Sequence, residues 1–269
     1  MFNLISSLLT EWGIEVFGKI RIDDCKIVKP YLLERSGIVS GTAIVMAAPY
    51  FAHDSECGNI SKYAVSKDYH VFYKDLLEKL CEALSQAYPN NKFVGFSDHS
   101  PIDEIDAAAK CGLGVIGKNG LLITDKYSSY IFIATLFTDA MLECDKKNIR
   151  FCEGCDACIK ACPVSLDKSL CLSARTQKKG MLTDNDIDLM KKHRTVWGCD
   201  ICQAVCPHTK KAIDNGSIYT NIDFFTSDRI PLVTYEIIKN MSEEDFADRA
   251  YSWRGREVIL RNLTVTDEK

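Results

Sequence analysis

Eight of the thirteen cysteines in this 269-residue chain fall between Cys152 and Cys206, in spacings that suit metal chemistry. Cys152-x2-Cys155-x2-Cys158-x3-Cys162-Pro163 is a run whose closely spaced thiolates wind onto one [4Fe–4S] cubane, while its fourth cysteine reaches a neighbouring cluster. Cys199-x2-Cys202-x3-Cys206-Pro207 repeats the last three positions of that run. The crossing rule gives cluster one Cys152, Cys155, Cys158 and Cys206, and gives cluster two Cys199, Cys202 and Cys162. A complete second run would begin at position 196, which is Val196, so cluster two is one thiolate short. Cys171, the nearest unassigned cysteine on the connection from Cys162, is the expected fourth ligand. Zinc competes for paired C-x2-C units. It fits poorly here, because both runs close with C-x3-C-P and no histidine sits at a matching spacing. Cys25, Cys57, Cys81, Cys111 and Cys144 are scattered and are expected to be small core hydrophobes.

The cysteine-rich segment is also basic. Residues 146–211 hold 13 Lys/Arg against 7 Asp/Glu, in a chain whose net charge is −4. Lys and Arg near all-thiolate clusters compensate their negative charge; the same residues would also suit a polyanion. Both readings stay open on sequence alone. With 46% hydrophobic and 26% charged residues, extended disorder is excluded. No run approaches 18 apolar residues, so no membrane span is expected. MFNLISSLLTEW has no basic residue before its apolar stretch and carries Glu11 soon after, which reads as an amphipathic helix instead of a leader. A cytoplasmic location is expected, where clustered cysteines mean metal or redox sites before disulfides.

A second constellation is DHSPIDEIDAAAKCGLGVIGKNG, residues 98–120. Asp98 ends a predicted strand, where a lone aspartate can be a turn residue or an acid. Ser100, Pro101 and Asp103 predict a helix start with Ser100 as N-cap, running to about Cys111 and stopping at Gly112. Gly112, Gly114 and Gly117 spell G-x-G-x-x-G, but a dinucleotide fingerprint follows a strand and opens a helix. Here the order is reversed, so NAD(P) binding is not expected. The glycines still permit close backbone approach, with Lys118 and Asn119 alongside.

The elements that position these groups alternate between helix and strand. Phe2, Ile5, Leu8, Leu9 and Trp12 predict a first helix, and Ile14–Ile22 a strand. Thr42–Ala48 and Lys92–Ser97 read as strands, and Asp68–Ala87 as a long amphipathic helix. Leu121–Thr124 and Tyr130–Phe137 are expected to pair across a short turn. Thr220–Pro231 reads as irregular, Ser242 as a helix start, and Trp253–Leu263 as a basic amphipathic helix.

In sequence order, these motifs resemble the epoxyqueuosine reductase family. The resemblance covers about residues 40–265. It rests on Lys62-Tyr63-Ala64, Asp68-Tyr69-His70, Asp98, GLGVIGKN at 112–119, WGCDICQAVCP at 197–207 and RGREVILRNL at 254–263. It implies an α+β chain in which a nitroreductase-like, cobalamin-binding α/β domain precedes a bacterial two-cluster ferredoxin-like domain. The expected divisions are 1–145 for cobalamin and substrate, 146–215 for the clusters, and 216–269 as a helical segment packing back on the body.

The implied reaction is reductive deoxygenation of epoxyqueuosine to queuosine in tRNA. Cobalamin and two [4Fe–4S] clusters would be the cofactors, and an external low-potential donor would supply electrons. Asp98 matches the family's general acid. Asp98, Gly112, Gly114, Gly117, Lys118 and Asn119 are the expected cobalamin-side residues. The D-x-H-x-x-G motif of proteins that ligate cobalt through histidine is absent, since Tyr73 stands where its glycine would be. This agrees with a family that binds cobalamin without a protein histidine on cobalt. Longer members continue past the RNL segment into helical repeats that help grip tRNA, whereas this chain stops there. Two alternatives therefore remain: a corrinoid reductase of a small molecule, and an electron-transfer protein without its own substrate.

Overall fold

Thr42–Pro49 is buried at all eight positions, so cover is required on both of its faces. In the computed structural model, which describes residues 1–53, 57–144 and 146–267, this segment is an inner strand of a four-stranded antiparallel sheet. Its strands are β1 (Val16–Arg21), β2 (Thr42–Pro49), β3 (Phe93–Ser97) and, after two short strands, β6 (Ile131–Thr138). The order is β1-β2-β6-β3, with Val45 opposite Gly18 on one side and Thr135 on the other. The short strands β4 (Val115–Ile116) and β5 (Leu122–Ile123) pair with each other, and Ile116 of β4 also bridges Phe151.

Helices α1 (Phe2–Glu11), α2 (Pro30–Ser36), α3 (Tyr69–Ala87) and α4 (Glu104–Lys110) accompany the sheet. The strand pleat decides which helix covers which face. Val94 and Phe96 of β3 join the cluster containing Val45, Phe137 and the alanines 107–109 of α4. Gly95 points the other way, where Leu77 of α3 leaves no room: an added Cβ would lie 2.7 Å from that of Leu77. Tyr73 ties α3 to the central strands, accepting from Ala48 N–H (3.0 Å) and donating to the Phe132 carbonyl (2.8 Å).

The expected Leu121–Thr124/Tyr130–Phe137 pair does not form. β6 instead fills the slot between β2 and β3, because its apolar run needs neighbours on both edges, and a Thr124–Ser128 bridge closes the turn. The helix expected from Ser100 starts later. Asp103 is its N-cap and accepts from Asp106 N–H at 3.2 Å. Ser100 is buried with its hydroxyl on Thr135 Oγ1 (3.2 Å), and the Pro101 carbonyl accepts from Val28 and Lys29 N–H. The Ser-Pro pair serves tertiary bonds instead of capping.

The chain divides into two compact units rather than the three expected segments. One holds Met1–Pro49 and His70–Cys155; the other holds Tyr50–Tyr69 and Asp156–Lys269. Residues 146–215 and 216–269 therefore do not separate from one another. In the second unit the cysteine loops contribute few large apolar groups, so other segments must supply the core. Ile60, Ala64 and Val65 meet Trp197, Ile238, Phe246, Tyr251, Ile259 and Leu263 in one cluster. Its helices are α5 (Ala157–Ala161), α6 (Leu172–Thr176), α7 (Asp184–His193), α8 (Ile201–Ala204), α9 (Pro207–Asp214), α10 (Asp223–Thr226), α11 (Tyr235–Asn240), α12 (Glu243–Ala247) and α13 (Arg256–Asp267). Ser242 caps α12 as expected, accepting from Asp245 N–H at 3.0 Å. The Trp253–Leu263 helix is displaced: Ser252–Arg254 is a 3-10 turn, and Gly255 at φ 92° separates it from α13. The segment 220–231, expected to be irregular, contains the short helix α10. Among the described residues, no helix is long and apolar enough to cross a membrane.

Asn262 fastens α13 to the cysteine-bearing loops. It is fully buried, and its Nδ2 donates to the carbonyls of Thr176 (2.6 Å) and Val196 (2.8 Å). Asn262→Ala strands both acceptors, at about 1–3 kcal/mol for each group left unpaired. The variant is expected to show a lower denaturant midpoint than a Glu257→Gln control at an exposed position of the same helix, with the slope of the transition unchanged.

Candidate functional site

The two cysteine runs fold into matching backbone. Cys162 closes α5 at φ −69°, ψ 126°, and Cys206 precedes α9 at φ −65°, ψ 130°. Each is followed by proline, which forces the preceding residue into extended backbone. Helices α5 and α8, carrying Cys158 and Cys202, pack against each other. Cys171 is the N-cap residue of α6. Burial pushes the Cys199 thiol up to about 12, and the nearby sulfurs of Cys202 and Cys171 add to the shift. The fold therefore gathers Cys199, Cys202 and Cys171, the grouping that the missing cysteine at position 196 calls for.

The seven run cysteines and Cys171 are all half-buried, and none is in a disulfide. Among the described residues, no three His, Cys, Asp or Glu side chains close around a single ion. In a cubane each cysteine binds its own iron, so the sulfurs stand further apart than around one zinc. A thiol held protonated by burial becomes a thiolate when a metal coordinates it. The donor set fits iron–sulfur clusters.

Asp200, next to Cys199, is a residue that sequence reasoning missed. Its buried carboxylate accepts from Ser61 Oγ (2.5 Å), Lys62 N–H (2.6 Å) and Gln203 Nε2 (3.1 Å). Burial pushes its carboxyl up. The loop before it is fixed by Gly198 N–H on Thr176 Oγ1 and by Ser61 N–H on the Trp197 carbonyl. Of the scattered cysteines, Cys25, Cys81, Cys111 and Cys144 are half-buried with thiols raised by burial. Cys57 departs from the expectation and is exposed.

Cys152 belongs to the first unit, where the glycine segment holds it. Lys118 N–H donates to Cys152 Sγ at 3.2 Å, and Cys152 N–H donates to the Ile116 carbonyl at 3.0 Å. Gly112 (φ 80°) ends α4 in a Schellman pattern: Leu113 N–H bonds the Ala108 carbonyl and Gly112 N–H that of Ala109. A Cβ on Gly114 would collide with the Ile123 carbonyl oxygen and sit 2.8 Å from its carbon. Asn119 Oδ1 fills the space beside Gly117 and accepts from Leu121 N–H (3.3 Å). The chain's own packing thus explains these glycines, so Gly114→Val disrupts the hairpin before it touches any ligand.

Asp98 follows the last residue of β3 at φ 60°, a left-handed conformation that aspartate tolerates better than most side chains. Its carboxylate is 73% exposed, with His70 Nε2 at 4.0 Å from Oδ2. The neighbouring His99 is held at both ring nitrogens, by Lys29 Nζ on Nδ1 and Tyr31 OH on Nε2, each at 3.0 Å. An ammonium can only donate, so Nδ1 accepts and Nε2 carries the proton toward Tyr31. Glu104, in the first turn of α4, has Oε1 buried without a hydrogen-bond partner. Sequence periodicity offers no sign of Glu104, because the expected helix starts three residues too early, at Ser100 instead of Asp103.

Comparison with known proteins bears on this arrangement. The family model described as "Epoxyqueuosine reductase QueG, DUF1730" matches residues 39–99, a stretch that includes Asp98. The epoxyqueuosine reductase of Leadbetterella byssophila is 34% identical over 223 residues, covering 80% of this chain and 72% of that protein. The structure of epoxyqueuosine reductase from Streptococcus thermophilus superposes with a TM-score of 0.78 at 24% identity, covering 99% of this chain and 80% of that one. An epoxyqueuosine reductase structure with an epoxyqueuosine-modified tRNA-Tyr stem loop superposes at 0.76 and 23% identity, covering 98% and 81%. At these identities the structural matches establish a shared mixed α/β fold. Several curated epoxyqueuosine reductases are longer, and the chain spans about 60% of their length. On the strength of the 34% match across most of both sequences, the chain belongs to the epoxyqueuosine reductase family.

Proposed function

We propose that the chain reduces epoxyqueuosine to queuosine in tRNA, in the cytoplasm, with electrons from an external low-potential donor. The observation that carries this reading is Asp98: an exposed carboxylate on a left-handed turn, within the family-matched segment and with His70 beside it. The second unit is the proposed ferredoxin-like part, and the seven cysteines of the two runs, together with Cys171, are the proposed ligands of two [4Fe–4S] clusters. The first unit is the proposed nitroreductase-like part, with the segment from Gly112 to Asn119 facing cobalamin. When bound, cobalamin would supply a reductant or nucleophile at carbon and the clusters would supply single electrons.

The chain's own task is acid catalysis and placement. Removal of an epoxide oxygen develops negative charge on that oxygen, and a proton delivered there lowers the barrier. Asp98 is the proposed donor, and its exposure leaves room for a bulky substrate to cover it. His70, 4.0 Å away, can orient the carboxyl. The basic residues Lys178, Lys179, Lys191, Lys192, Arg194, Lys210 and Lys211 are the proposed phosphate-facing set for tRNA.

Protein reconstituted anaerobically with iron, sulfide and cobalamin, then given reductant and epoxyqueuosine-containing tRNA, is expected to yield queuosine by nucleoside mass spectrometry. Turnover of the free nucleoside with none on tRNA would replace this reading by a small-molecule reductase. Electron uptake without conversion of either would leave an electron carrier.

A further inference from the structure

Asp98 sits at the centre of a three-residue turn. His99 N–H donates to the Ser97 carbonyl at 2.6 Å, and Asp98 between them has φ 60°. A bond from residue i to i+2 across a positive φ marks the rarer, strained form of the γ-turn. Backbone of that kind persists only where its surroundings over-determine it.

Both ends of the turn are held by the fold. Ser97 closes β3 in register with Ala134 of β6. Beyond the turn, the Ser100 hydroxyl meets that of Thr135, and the Pro101 carbonyl accepts from Val28 N–H (2.9 Å) and Lys29 N–H (3.1 Å). An antiparallel Ile27–Ile102 bridge and Asp103 N–H on the Lys26 carbonyl (2.9 Å) continue this contact. The segment 26–29 is thereby fixed alongside 101–103. It delivers Lys29, the N-cap residue of α2, and Tyr31, in the first turn of α2, to the His99 ring.

The ring closes a directed chain of hydrogen bonds. Lys29 Nζ donates to Nδ1 at 3.0 Å, so Nε2 carries the proton and donates to the Tyr31 hydroxyl oxygen at 3.0 Å. The ammonium makes the first of these a charge-assisted bond. His99 and Tyr31 are exposed, and water can satisfy both in place of this chain. Exposed hydrogen bonds add little net stability, so the effect of the chain falls on the geometry of the turn that carries His99.

We infer that Lys29 and Tyr31 clamp the His99 ring and through it fix the Asp98 turn, which makes all three positioning residues for the proposed proton donor. This rests on reading Asp98 as the acid. A general acid works only with its proton in reach of the departing oxygen, and a misplacement of about 1 Å can cost about 10²-fold. Loss of the ring leaves the Asp98 carboxyl chemically intact but frees its turn to relax.

The test is hydrogen exchange of the holoprotein, read by mass spectrometry on peptides spanning residues 97–103, together with steady-state turnover. His99→Ala removes both ring bonds. It should exchange faster across the turn and lose about ten- to a hundredfold in kcat, with KM changed by less than about twofold. Lys29→Met and Tyr31→Phe each break one bond and should fall between His99→Ala and wild type. His99→Gln keeps an acceptor for Lys29 and a donor for Tyr31 on its amide, and should recover most of both readings. His99→Ala placed on Asp98→Asn should cost no further turnover, because the clamp acts only through the carboxyl.

Unchanged exchange in His99→Ala overturns the inference, and so does a wild-type kcat. A further loss on the Asp98→Asn background overturns it as well. A loss confined to KM would make the three residues substrate contacts in place of a clamp. Should His99→Ala fail to fold, Lys29→Met decides by the same readings. An inactive Asp98→Asn beside a fully active His99→Ala removes the clamp and keeps Asp98 as the acid. A fully active Asp98→Asn removes both.

Discussion

Asp98→Asn, loaded with clusters and cobalamin, is expected to lose on the order of 10²–10⁴ in turnover, the usual range for a positioned general acid. Asparagine keeps the size and hydrogen-bonding reach of the side chain but has no acidic proton for the departing oxygen. It also tolerates the left-handed backbone at φ 60°, so the turn after β3 should survive the change. A role limited to the turn would therefore leave turnover nearly intact, with stability changed by less than about 1 kcal/mol. The assay must follow substrate conversion, because the variant should still accept electrons. Near-normal turnover in fully loaded protein would move the acid elsewhere. His99 would be the next residue to replace in this neighbourhood, although its ring is already committed to Lys29 and Tyr31.

Cys171→Ala is expected to remove one cluster and spare the other. Anaerobically purified wild type should hold about eight iron and eight sulfide, and the variant about half of each. Val196 leaves the second run without its first cysteine. The fold brings the Cys171 sulfur near enough to Cys199 to raise that thiol. Cys81→Ala is the matched control, since Cys81 lies half-buried on α3 and belongs to neither run. It should retain both clusters. Two spectroscopically intact cubanes in Cys171→Ala would strike that residue from the ligand set. Zinc found in place of iron and sulfide would end the redox reading altogether.

Local patterns were the legible part of the sequence. The helix from Tyr69 to Ala87 and the strands at Val16–Arg21, Thr42–Pro49 and Phe93–Ser97 lie close to their expected places. Each has an apolar period strong enough to outweigh its neighbours. The Ser-Pro start at residue 100 misled because a hydroxyl can serve either a helix end or the interior. Burial against Thr135 decided that choice. Pairing across Tyr127–Tyr130 misled for a related reason: sequence proximity favours a hairpin, but an apolar strand with two hungry edges goes to the centre of the sheet.

The sequence by itself determined the donor chemistry, since cysteine spacing on a short loop limits which metal centres the thiolates can wrap. It also determined the end of α4 at Gly112, because only glycine sits easily in that left-handed cap. Tertiary structure alone decided three other matters. It placed Cys171 near Cys199, packed the glycine segment against the chain's own hairpin, and exposed Asp98 while burying one oxygen of Glu104. Each depends on contacts between residues distant in sequence, or on solvent access. Burial sets the protonation of a carboxyl or thiol, and no local pattern of residue types encodes it.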